Sequence, residues 1–359
     1  MSNRSRALVA LIAALALFAL VAAGCSTATT TTGGSTSGAT TTSSMKTGMV
    51  TDVGGLGDKG FNDAAWAGLQ KAKTDLGVQT KVLESKQIAD YETNLSQLAQ
   101  AGYSPVFAVG FLMTDTVSKL STAFPQATFA GVDEFFNPPV PANVIGLNFK
   151  ENEGAYLAGV AAGMALKDKT FPGYNGKNTL GFVGGMDVPV IEKFHAGFEA
   201  GAKSVNPDVK VLVVYAGSFN DQAKGKELGL QVINQGASIV FPAAGATGLG
   251  TIQACVEKNV PCIGVDVDQF LTVPAAAAVM YTSVMKNIAT AVFDTVQKAK
   301  DGTLKTGVNQ VYGVKEGGME LAPFHDFDAK TSQATKDAIA KAKAGIIDGT
   351  IVVPESLKK

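Results

Sequence analysis

The chain has 359 residues, 46% of them hydrophobic and 17% charged, with 40 glycines; this excludes disordered and fibrous classes and suits a globular α/β protein of two domains. Thirty Lys and Arg against 31 Asp and Glu leave a formal charge of −1, so the basic field that attracts phosphate backbones is missing and nucleic acid is not an expected partner. Two histidines and three cysteines are too few for a His-rich or thiolate metal centre, which removes zinc chemistry and leaves only carboxylate sites open.

The N-terminus reads as an export signal. Arg4 and Arg6 precede an apolar run from Ala7 to Ala22, about 16 residues against the roughly 20 that span a bilayer. The run ends in Ala22-Ala23-Gly24-Cys25, which resembles a bacterial lipobox, with Ala22 where a larger aliphatic residue is usual. The expectation is a signal peptide over 1–24, a lipidated Cys25, and a Ser/Thr/Gly tether over 25–45 too polar to offset the entropy of ordering. Loss of the two arginines leaves 28 basic against 31 acidic residues, a net charge of −3.

From residue 46 onward, short apolar runs alternate with amphipathic segments, the pattern of parallel strands joined by crossover helices. Strands are expected at 47–53, 80–85, 105–110, 127–133 and 143–149, then at 179–185, 209–216, 238–245 and 261–266. Helices fall between them, among them Asn62 to Leu76, Glu151 to Leu166 and Lys224 to Gln235. Two sets of βα units predict two doubly wound Rossmann-like lobes. Chain crossings near 150, 279 and 316 would put 46–150 plus about 280–315 in one lobe, and 151–279 plus about 316–359 in the other. Either a disulfide or two buried thiols fits Cys255 and Cys262.

Open parallel sheets take ligands beyond the carboxyl ends of their strands. Asp52, Asp133 and Asp266 each close an apolar run, positions that equally suit helix N-caps. Gly55-Leu-Gly57-Asp-Lys-Gly60 matches G-x-G-x-x-G, with Glu84 as a candidate ribose partner. Asp58 within that loop would oppose a pyrophosphate, and an exported chain leaves the compartment that holds NAD. No Walker loop, G-x-S-x-G elbow or H-E-x-x-H motif is present. His195, on a helix whose apolar positions explain themselves by packing, reads as structural.

The segment Asp52-Val-Gly-Gly-Leu-Gly-Asp-Lys-Gly-Phe61-Asn62, with Trp66, resembles the opening motif of the basic membrane protein family of lipoproteins, D-x-G-x-x-D-x-S-F-N. Gly60 stands where Ser is common. The resemblance continues through Gly217-Ser-Phe219-Asn-Asp221, Ala243-Ala-Gly245-Ala-Thr-Gly248, Ile263-Gly-Val-Asp266-Val-Asp268-Gln269 and Ser283-Val-Met-Lys286-Asn287, covering about residues 46 to 353. It implies a type I periplasmic-binding-protein fold with a ligand cleft between the lobes. It further implies a monomeric, lipid-anchored receptor on the extracytoplasmic face of the membrane that captures nucleosides, purine nucleosides in the well-understood members, for an ABC importer. Under this resemblance Phe61 and Phe219 sandwich the base, and Asp52 and Asn62 bond its edge. Asp133, Asp266 and Lys286 lie at the ribose, and Gly245 lets the backbone approach the ligand. No cofactor, metal or catalytic group is implied. The rivals are a binding protein of the same fold for a sugar or a flavin-like ring, and a nucleoside-processing or NAD-dependent enzyme.

Overall fold

The computed structural model describes residues 45–169 and 171–357. The expected signal peptide, Cys25 and nearly all of the tether lie outside the described residues. The first lobe opens with β1 (Lys46–Thr51), α1 (Phe61–Leu76), β2 (Gln79–Leu83), α2 (Asp90–Gln100), β3 (Val106–Val109), α3 (Thr114–Ala123), β4 (Phe129–Val132) and β5 (Val144–Phe149). The chain then builds α4 (Glu151–Asp168), β6 (Thr179–Gly184), α5 (Pro189–Val205), β7 (Lys210–Tyr215), α6 (Gln222–Asn234), β8 (Ile239–Ala243), α7 (Gly245–Lys258), β9 (Cys262–Asp266), the short α8 (Gln269–Thr272) and β10 (Met280–Lys286). It continues through α9 (Ile288–Lys300), β11 (Val308–Tyr312), β12 (Met319–Leu321) and α10 (Gln333–Asp348).

Two six-stranded sheets result, in the orders β11-β5-β4-β3-β1-β2 and β12-β10-β9-β8-β6-β7. The first is parallel throughout; in the second, β12 runs antiparallel to β10 at the edge. Central strands such as β3, β4, β5 and β8 are buried along their whole length, because helices cover both faces and leave no side for polar alternation.

One expected boundary is corrected. The strand Met280–Lys286 pairs with Cys262–Asp266 in the second sheet, so the chain returns to the first lobe after Lys286 and not near 279. The register explains it: Val284 and Met285 lie opposite Val265 and Asp266, extending the buried apolar surface of β9. Only with α9 is the first lobe rejoined; an added Cβ at Gly68 of α1 would stand 2.5 Å from the Ala289 carbonyl oxygen.

Helices α4 and α5 meet backbone to backbone in the second lobe. Cβ atoms at Gly159, Gly197 and Gly201 would each fall 2.1 Å from a carbonyl oxygen of the opposite helix, which is why small residues line this seam. Cys255 and Cys262 are free thiols, both buried. Among the described residues no helix is long and apolar enough to cross a membrane.

The lobes also touch directly. Asn220 Nδ2 donates to the Val53 carbonyl at 3.1 Å, and Gln269 Nε2 and Thr272 Oγ1 both donate to the Lys59 carbonyl at 3.2 Å. All three bonds end on the loop between β1 and α1.

Candidate functional site

The carboxyl ends of β1, β4, β9 and β10 converge on a cavity between the lobes, with about 550 Å³ of empty space, part of it open to solvent. Asp52, Phe61, Asn62, Asp133, Phe219, Gly245, Asp266 and Lys286 all line it, so the eight residues singled out in the sequence are brought together. Asp133 and Asp266 leave their strands with φ of 63° and 67°. Asp tolerates this left-handed conformation better than most residues, and here it turns the chain sharply at the end of each strand.

Lys286 is the electrostatic centre. It is 2% exposed, with Nζ 2.5 Å from Asp133 Oδ2 and 2.8 Å from Glu151 Oε1. The same ammonium lies 5.3 Å from the centroid of Phe61 and 5.0 Å from that of Phe149, within cation–π range. Burial opposes the lysine's charge, but Asp133, Glu151 and Asp266 hold its pKa above the ordinary value. Burial raises Asp266 to about 7 and Asp133 to about 6 despite that cation, and Asp52 to about 6 despite hydrogen bonds from Asn62 and Gly54. Asp133 Oδ1 is buried without a hydrogen-bond partner among the described residues. This is a set of acceptors around one cation, suited to hydroxyl and N–H donors.

The aromatic walls come from opposite lobes. Phe61 opens α1, and Phe219 follows β7 with its ring packed on Gly185, where an added Cβ would come within 2.4 Å of it. Gly245 has a φ of +55°, and a Cβ there would stand 3.3 Å from the Phe219 carbonyl oxygen. Glycine suits both the left-handed conformation and the closeness of the Phe219 loop.

Asp58 also lines the cavity, and sequence reasoning missed what it does. Its carboxylate accepts from the backbone N–H groups of Gly60, Asn62 and Asp63 at 3.0, 2.8 and 3.2 Å. The acid thus occupies the start of α1, the place a pyrophosphate would take in a dinucleotide fold. Glu84, the candidate ribose partner, instead accepts from Leu56 N at 3.1 Å. An Asp placed three residues before the first helical residue was the available signal. Phe111, Phe194, Val190 and Ile191 also line the cavity and carry no sequence mark beyond being apolar. His195 stacks on Phe182 at 5.3 Å and meets Glu199 at 3.2 Å, away from the cavity. No group of His, Cys, Asp and Glu able to hold a metal ion occurs among the described residues.

Two doubly wound lobes with a polar and aromatic cavity at their facing strand ends define a solute-binding protein of the periplasmic type. In agreement, a solved ABC transporter solute-binding protein from Aeropyrum pernix K1 superposes with a TM-score of 0.78 at 26% identity, covering 87% of this chain and 94% of that one. The family model for Bmp, the PnrA-like ABC transporter substrate-binding proteins, matches residues 45–356, and the chain belongs to that family. The ABC transporter nucleoside-binding protein BmpA of Lactococcus lactis subsp. cremoris (strain MG1363) is 37% identical over 330 residues, covering 87% of this chain and 90% of that protein. An uncharacterized lipoprotein of Pyrococcus abyssi is 34% identical over 287 residues, covering 77% and 68% respectively.

Proposed function

We propose that the protein is a lipid-anchored receptor on the extracytoplasmic face of the membrane that captures nucleosides, purine nucleosides foremost, and delivers them to an ABC importer. One observation carries this reading: a single cavity joins aromatic side chains from opposite lobes, Phe61 and Phe219, to the cluster of Asp133, Asp266 and Lys286. Phe61 and Phe219 stack on the base, a contact worth about 1–3 kcal/mol per base. Asp52 and Asn62 bond its edge. Asp133 and Asp266 accept from the ribose hydroxyls, while Lys286 donates to a ribose oxygen and holds the two acids in place. Gly245 keeps that wall open to the ligand. A phosphate would meet the excess of carboxylates, so nucleosides are taken in preference to nucleotides. The name of the Lactococcus relative supports the ligand class, and that of the Pyrococcus relative supports anchoring through Cys25.

The receptor works without turnover. Ligand touching both lobes favours the closed form by its differential affinity, and the closed form is what the importer reads. No cofactor takes part, and the receptor acts as a monomer.

Calorimetric titration of the protein, unfolded and refolded to strip carried-over ligand, tests the reading against inosine, guanosine, adenosine, cytidine, uridine and ribose. Sub-micromolar binding of purine nucleosides is expected. Binding of ribose alone, or of none of these, would overturn the ligand assignment. Replacement Cys25→Ala should release the protein from the membrane fraction; retention would refute the anchor.

A further inference from the structure

The side-chain amide of Asn62 is held in one orientation. Its Nδ2 donates to Asp52 Oδ1 at 2.9 Å and to Asp58 Oδ2 at 3.1 Å, which uses both of its hydrogens. The reverse orientation would set the amide oxygen against two carboxylate oxygens. Asp58 cannot give way, since three backbone N–H groups at the start of α1 hold it. Asn62 Oδ1 is left as a buried acceptor with no hydrogen-bond partner among the described residues. On Asp52, Oδ1 is taken by Asn62 and by Gly54 N at 2.8 Å, which leaves Oδ2.

Both residues line the cavity, so its base-edge end offers acceptors, one on each of two bonded neighbours. We infer that this end selects bases carrying adjacent N–H donors on one edge, and so favours guanosine over inosine and adenosine, with Asp58 as the positioning residue that fixes the choice. The inference rests on the nucleoside reading above. Guanine presents N1–H and its 2-amino group side by side. Hypoxanthine keeps only N1–H, and adenine sets its N1 lone pair against an acceptor.

The preference is tied to the protonation of Asp52. Burial pushes this carboxyl up to about 6, against the lowering hydrogen bonds from Asn62 and Gly54. Asp58 before α1 and Asp133 after β4 raise it further; the Tyr91 hydroxyl on α2 approaches through Val53 N at 3.3 Å, and Asp266 and Lys286 line the same cavity from the second sheet. Once protonated, Asp52 becomes a donor and accommodates adenine N1, so acidification brings the two ligands together. The carboxylates at the ribose end act alike on every nucleoside and cancel in the ratio of affinities.

Calorimetry on the full-length protein with guanosine, inosine and adenosine at pH 8 and pH 5.5, each in two buffers of different ionisation enthalpy, tests this. The expected result at pH 8 is guanosine binding at least tenfold tighter than adenosine, with inosine between. Adenosine should bind with net proton uptake, and the guanosine-to-adenosine ratio should shrink several-fold at pH 5.5. In Asp58→Asn the ratio at pH 8 should fall toward one; if that variant does not fold, the ligand series on the wild type still decides. Equal affinities at both pH values, or a ratio independent of pH, would overturn the inference while leaving the nucleoside reading intact. Absence of binding by all three would overturn both.

Discussion

Lys286→Met removes the cation from the cavity and keeps a chain of similar length. Asp133, at 2.5 Å, and Glu151, at 2.8 Å, lose their shared partner, and Asp266 loses the charge that moderates it. Breaking a buried ion pair from one side costs about 3–5 kcal/mol. Protonation of a carboxyl is the escape route and sets a ceiling. Taking an aspartate of ordinary pKa 3.8 to its neutral form costs about 4 kcal/mol at pH 7 and about 2 kcal/mol at pH 5, at 1.36 kcal/mol per unit. The ligand-free variant should therefore be less stable than wild type by about 3–4 kcal/mol near pH 7, with a deficit of about 2 kcal/mol at pH 5. Denaturant unfolding of both proteins at pH 7.5, 6 and 5 measures this. A deficit under 1 kcal/mol at pH 7.5, or one that does not shrink on acidification, would refute the account of Lys286 as the counter-charge of the cavity.

The wild type itself should respond to pH. Asp52, Asp133 and Asp266 have folded pKa values of about 6 to 7, above their ordinary 3.8, so the native state binds protons more tightly than the unfolded chain. Their contribution is fully present below pH 3.8 and is lost as pH rises through 6 and 7. Glu199, lowered to about 2 chiefly by the His195 hydrogen bond, works in the opposite sense below about pH 4.5; melting temperature of the ligand-free protein should peak near pH 5, and a flat profile from pH 5 to 8 would contradict this. Gly185→Ala would place a Cβ 2.4 Å from the Phe219 ring and should weaken nucleoside binding about tenfold or more by displacing that stack, as read by titration. Thr272→Val deletes a bond to the Lys59 carbonyl outside the cavity; about 0.5–1.5 kcal/mol of closure energy should appear as a two- to tenfold rise in Kd and a larger radius in small-angle scattering.

Fold class was readable because the central strands are buried runs of β-branched and aliphatic residues and some helices are bounded by Asp, Gly or Asn, as with Gly60 and Gly77 around α1 and Asn287 and Asp301 around α9. Two of the four edge strands were not: Val308–Tyr312 mixes exposed and half-buried positions and Met319–Leu321 is three residues long, so neither carries a buried apolar run. The lobe membership of Met280–Lys286 was hidden for another reason. Its apolar pattern serves either sheet, and only pairing with β9 decides. In the site, strand-terminal acids and loop aromatics stand out in the sequence. Glu151, by contrast, looks like an ordinary acid in the first turn of a helix, and only the fold places it 2.8 Å from Lys286.

Three passages of chain between the lobes make the order of synthesis matter. The first sheet gains its last strand only when Tyr312 has been made, and the second gains β12 later still. For most of its length a nascent chain therefore carries two unfinished half-molecules, each exposing strand faces that nothing yet covers. If the chain is exported as proposed above, this delay is useful, because a secretion channel threads extended polypeptide and a lobe completed early would jam it. The same delay lengthens the period in which exposed strands can mispair.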